Sequence, residues 1–207
     1  ALSTVWIWKQ SMRAPLPSSL AVYAQRTFGA PGTLGRTAVL VIPYAYEPSE
    51  SSLSELRSRL SSALGPDGSI DVRPPVRYGD EDAVLRALPR ERGIDVVILL
   101  LNLAATPEEE NHGTVLAALR QRVTSTRTPG RLLVMVDEYP YALRMSSSGG
   151  ASERVSERRR VWQAFVEKYG LKLYPVSLAL GTVDRSDTAQ AGEVELLKSA
   201  LLHSDAV

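Results

Sequence analysis

Three stretches of the chain hold side chains able to do acid–base or metal chemistry. The first is Pro107–Gly113, P-E-E-E-N-H-G. On a helical wheel whose buried face is Val115, Leu116, Leu119 and Val123, His112 falls near the middle, Glu108 lies beside it and Glu110 points away. An imidazole changes charge near neutral pH, and the first turn of a helix favours its neutral form. His112 is therefore placed either as a general acid–base or as a core histidine that positions the loop. The second stretch closes an apolar run with Asp137-Glu138, followed by Tyr139-Pro140-Tyr141 and Arg144. Adjacent carboxylates at a strand end suit a hydrated metal ion, and equally suit local ion pairs. The third is the run from Arg158 to Arg160. Arg158 lands on the apolar stripe of Val155, Trp162, Phe165, Val166 and Tyr169, where a guanidinium is costly unless it is paired. A bidentate pair with Asp137 or Glu138 is expected, with joint phosphate binding by Arg144 and Arg158 as the alternative. Tyr44, Tyr46 and Glu47 end another apolar run, where they either contact a ligand or cap the core.

The elements that must position these residues alternate regularly. Apolar runs at Thr37–Tyr46, Ile94–Leu103, Arg131–Asp137 and Leu171–Leu178 read as strands buried on both faces. Ser69–Arg77 is a poorer strand, and its two prolines assign it to an edge. Helices are expected at Ser52–Leu64, Asp80–Leu88, Thr106–Val123, Ser152–Tyr169 and Glu193–His203. Ser52 with Glu55, and Thr106 with Glu109, have the spacing of capping boxes. Glu138–Gly150, with Y-P-Y and S-S-S-G-G, reads as a long loop, and Gly181–Ala189 as a polar one. The β-α alternation predicts an α/β fold, with a five-stranded, mostly parallel, doubly wound sheet in the flavodoxin-like order 2-1-3-4-5. Strand carboxyl ends are where such sheets bind ligands, and all three candidate stretches fall there.

Charge divides the chain. Its 207 residues sum to +1, yet residues 1–36 hold Lys9, Arg13, Arg26 and Arg36 with no acidic residue. That segment is +4, which leaves −3 for residues 37–207. The expected organisation is a basic connector over 1–36 and an α/β domain over 37–207. Thr4–Trp8, T-V-W-I-W, followed by Lys9 and Arg13, fits either an arm packed on the domain or a stub just after a membrane span. The absence of Cys excludes a disulfide framework and thiolate metal sites. The closest approach to a P-loop is Ala30–Thr37, A-P-G-T-L-G-R-T. It lacks the first Gly, has Arg for Lys and runs into a strand, so no helix end faces a phosphate. No basic patch of the kind nucleic acid requires is present.

Several of these pieces resemble an uncharacterised bacterial family of membrane proteins, in which transmembrane helices precede a soluble C-terminal domain. They are P-E-E-E-N-H112-G113, L-V-M-V-D137-E138 with Arg144 downstream, E-R-R-R160-V-W162, and the connector R13-A-P-L-P through A-V-Y-A-Q-R26. The resemblance implies a domain at the cytoplasmic face of the bacterial inner membrane, tethered through a segment preceding residue 1. It also implies a protein partner such as a GTPase-like protein, and it supplies no catalytic residues. Three functions stay open. One is a non-catalytic regulatory or protein-interaction module. Another is a metal-dependent phosphoester hydrolase with Asp137 and Glu138 on the metal and His112 as acid–base. The third is a phosphate- or nucleotide-binding sensor using Arg144, Arg158 and the polar loop Gly181–Asp187.

Overall fold

Apolar runs too short for helices, separated by amphipathic stretches long enough to be helices, leave few ways to bury both. The computed structural model describes residues 37–88, 94–107, 110–124, 131–146, 150–178 and 187–203. The strands are β1 Ala38–Pro43, β2 Ser69–Val72, β3 Val96–Asn102, β4 Arg131–Asp137 and β5 Leu173–Val176. The helices are α1 Glu50–Leu64, α2 Glu81–Ala87, α3 Glu110–Thr124, α4 Tyr139–Met145, α5 Ala151–Glu167 and α6 Asp187–His203. All strands are parallel, in the order β2-β1-β3-β4-β5. The α/β fold and the strand order expected from the sequence are therefore what the chain adopts. The connector 1–36 and most of the loop Gly181–Ala189 lie outside the described residues.

Strand alternation sorts the core into two layers. Leu40, Ile42, Leu99, Leu101, Val134 and Val136 face α2, α3 and α5, where Trp162 is fully buried. Val39, Val41, Ile98, Leu100, Leu133 and Met135 face α1 and α6. Central strands β1, β3 and β4 are buried on both faces and read as unbroken Val/Ile/Leu runs. Edge strands β2 and β5 are short, and both have prolines nearby. Glu138 N donates to Val176 O, so alternation turns the nitrogen of Pro175 away from β4. A residue with no N–H costs nothing at an outward-facing position.

Two local expectations change, and a third falls outside the described residues. The N-cap of α1 is Ser49, whose hydroxyl accepts from Ser52 N. Ser52 is not the cap because it shares a face with Leu56 and Leu60 and is buried, its hydroxyl reaching Leu178 O. The described part of α3 starts at Glu110, and Glu109 of the expected capping box lies outside the described residues. Tyr139–Met145 is a helix rather than loop. Pro140 sits in its first turn, where the missing N–H is harmless, and Tyr139 N is held by Asp137 Oδ1 at 3.0 Å.

Candidate functional site

The carboxyl ends of the strands bring the predicted residues to one rim of the molecule, on different sides of the sheet. Asp137 ends β4 on the side of Leu133 and Met135, the α1/α6 face. It is fully buried. Its Oδ1 accepts from Tyr139 N and Leu178 N, both at 3.0 Å, and its Oδ2 from Tyr46 Oη at 2.6 Å. One carboxylate thus ties the segments that follow β1, β4 and β5. Tyr46 reaches it because the backbone turns left-handed at Ala45, φ 50°. Tyr44 packs in the core layer of Leu40 and Ile42, and an unbroken strand would have sent residue 46 there too. The turn delivers Tyr46 to the opposite layer instead. Burial, and then the hydrogen bond to Asp137, push the Tyr46 phenol well above its ordinary pKa, so the proton stays on the tyrosine.

Arg158 performs the complementary task on the other face. The expected partner, Asp137 or Glu138, is not the one it has. Its Nε donates to Leu103 O at 3.2 Å, and its Nη2 to Ala104 O at 3.4 Å and Ala105 O at 2.7 Å. Its guanidinium also lies 5.9 Å from the centre of the Tyr141 ring. The turn after β3 folds back over the core with its carbonyls inward, and a five-donor cation satisfies them where no N–H is at hand. Trp162 Nε1 adds a bond to Ala105 O at 3.1 Å. The arginine that does meet a carboxylate is its neighbour. Arg159 makes a two-pronged pair with Glu138, Nε to Oε1 and Nη2 to Oε2, the second at 2.7 Å. Nothing in R-R-R distinguishes these residues except the stripe, which marks Arg158 as inward but not its acceptor.

His112 is 1% exposed and belongs to the α3/α5 layer. Its ring meets Tyr44 and Trp162 edge-to-face, centroids 5.4 and 5.3 Å away, with Tyr78 tilted at 6.1 Å. The next residue, Gly113, lies against the Tyr169 hydroxyl, which a Cβ there would displace. The aromatic series continues through Phe165 to Tyr169. Arg144 is exposed on α4, and Glu108 lies outside the described residues.

The sheet therefore separates the acid–base candidate from the metal-ligand candidates. His112 is packed in one layer, Asp137 is hydrogen-bonded in the other, and Glu138 is committed to Arg159. Among the described residues no group of three or more His, Asp or Glu side chains is arranged to hold a metal ion. A cleft of about 440 Å³ lies between α1, α6 and β5, with Glu138 on its wall and neither His112 nor Asp137 among its lining residues. Leu56, Met135 and Tyr174 line it, with the Arg59 and Arg159 ion pairs on its walls. Arg59 bonds Glu55 Oε1 at 2.7 Å and Ser177 O at 2.9 Å.

No family model matches the chain, and no curated protein matches it. Among solved structures, a Streptococcus pneumonia protein described as a "putative platelet activating factor" aligns over 96% of this chain and 97% of that one, at 13% identity and a TM-score of 0.41. A likeness at this level carries no residue role to this chain. Among the described residues no helix is long and apolar enough to cross a membrane.

Proposed function

We propose that this domain is a non-catalytic regulatory or protein-interaction module. The observation that carries the reading is the internal commitment of the two candidate carboxylates, Asp137 and Glu138. Asp137 is fully buried and accepts three internal hydrogen bonds. A hydrolytic site needs its acid, base and metal ligands around one wet opening. Here they occupy opposite faces of a sheet, with Asp137 spent on loop N–H groups and the Tyr46 hydroxyl, and Glu138 on Arg159. Resemblance to membrane-protein C-terminal domains extends the proposal to a domain held at the cytoplasmic face of the inner membrane, acting on a protein partner such as a GTPase-like protein. The cleft beside Arg59 and Arg159 supports a second reading, a small-ligand sensor binding a phosphate or nucleotide.

Thermal melting with Mg²⁺, Mn²⁺, Zn²⁺, inorganic phosphate, ATP and GTP separates these readings, since a ligand of the native state raises the midpoint. The interaction reading expects no shift and no turnover of p-nitrophenyl phosphate. A shift with phosphate or nucleotide that is lost in Arg159→Gln establishes the sensor. Metal-dependent turnover lost in both His112→Gln and Asp137→Asn establishes the hydrolase.

A further inference from the structure

We propose that the β2 edge and the arginine-lined groove beside it dock an acidic, extended segment of a partner protein, which adds a sixth strand to the sheet. The proposal rests on the interaction reading above and gives it a surface. Two independent features point to it.

The first is an edge that pairs with no strand among the described residues. Ser69 N and Arg73 N donate to Thr37 O and Val41 O on the β1 side. Alternation then turns the N–H and C=O of Ile70 and Val72 away from β1, toward the outside of the sheet. Such groups are a template for another strand. On the opposite edge, β5 presents Pro175 at the outward position and so offers a weaker template.

The second is charge. Directly after β2 the chain forms, with α2, a groove of about 660 Å³. Arg73, Arg77 and Arg86 line it, with Asp80 as its one acidic wall residue and Pro74, Pro75 and Ala83 as apolar surface. Arg86 meets Asp80 at 3.4 Å and Arg73 meets Asp71 at 3.3 Å, long pairs on exposed side chains that an incoming carboxylate can displace. Arg77 is exposed, and no carboxylate among the described residues lies within ion-pair reach of it. The domain around this patch is net negative, so the groove is a local reversal of sign. Edge pairing supplies main-chain hydrogen bonds, and the arginines select carboxylates on the docked strand.

The test is fluorescence anisotropy with a fluorescein-labelled peptide of roughly ten residues alternating Glu and Val, a length that spans a strand. Controls are the same peptide with Lys for Glu, the same peptide N-methylated at alternate residues, and vesicles rich in phosphatidylserine. The expected result is salt-sensitive binding of the Glu peptide that weakens about tenfold or more in the R77E/R86E double variant. N-methylation should also weaken it, and the Lys peptide should not bind. Both arginines are exposed, and the melting midpoint of the double variant verifies its fold. Absence of binding to the Glu peptide, binding indifferent to the double variant or to N-methylation, or vesicle binding in place of peptide binding overturns the proposal. That failure differs from failure of the interaction reading, which falls only if the metal, nucleotide or turnover screens respond.

Discussion

If Asp137 is a structural tie, removing it should cost stability on a scale set by the donors it leaves behind. Asp137→Ala strands two backbone N–H groups, of Tyr139 and Leu178, and frees the Tyr46 hydroxyl. A buried donor left without an acceptor costs about 1–3 kcal/mol. The two N–H groups cannot turn toward water, while Tyr46 is only half-buried and can. The expected loss is about 2–6 kcal/mol, against a total of roughly 5–15 kcal/mol for a domain. Asp137→Asn keeps an oxygen for the two N–H groups and loses only the charge assistance, so about 1–2 kcal/mol is expected. In a domain of this size that is a fall in Tm of about 2–8 °C. Urea denaturation of both variants, together with Tyr46→Phe and the Tyr46→Phe/Asp137→Asn double variant, measures the tie and its coupling. An Asp137→Ala protein within about 0.5 kcal/mol of wild type, the range of a neutral surface change, refutes the reasoning.

Other outcomes follow from the same geometry. Burial raises the phenol pKa of both Tyr46 and Tyr174 in the folded state, so their contribution is intact below the unfolded value near 10 and is lost as pH rises above it. Urea midpoints should fall between pH 10 and 11.5, Tyr46→Phe should flatten that fall, and a flat wild-type profile would contradict the burial of both rings. Gly113→Ala should displace the Tyr169 ring end, a cost offset in part by the gain of about 0.5–1 kcal/mol for alanine over glycine within a helix, and Tyr169→Ala in the same chain should relieve the clash. Melting curves of the single and double variants decide it, and additive losses would place the cause elsewhere. Arg158→Met should speed hydrogen exchange in the turn at 103–105 far more than Arg159→Met does, because Arg158 bonds those carbonyls and Arg159 bonds Glu138 instead. Equal exchange in the two variants would refute that assignment.

The architecture was legible because it depends on period and length. Runs such as Val96–Leu101, apolar at every position, have only one use in a chain of amphipathic helices, and that use is a strand covered on both faces. The order of strands followed from alternation and from Pro74 and Pro75 pushing β2 to an edge. Helix α4 was hidden because Pro140 and the Ser/Gly run after it look like loop, although proline is harmless in a first turn. The site was legible as a set of inward-facing polar residues and not as a set of partners. The stripe on α5 marks Arg158 as inward, but carbonyls of a turn 53 to 55 residues away leave no mark in side-chain sequence. The route of Tyr46 to Asp137 turns on one left-handed alanine, which no composition rule flags.

What joins these residues is a division of labour at the rim of the sheet. The turns that close a parallel sheet fold over its core and bring backbone polar groups with them, and each must find a partner. After β4 and β5 the exposed groups are N–H donors, and a carboxylate, Asp137, gathers them. After β3 they are carbonyls, and a guanidinium, Arg158, gathers those. Anion and cation sit on opposite faces and never meet, which is why the ion pair expected between them is absent. A carboxylate and an arginine at the strand ends of an α/β sheet would ordinarily suggest catalysis. In this chain each is spent on internal partners, while Arg77, on the same rim beside the edge strand β2, is exposed.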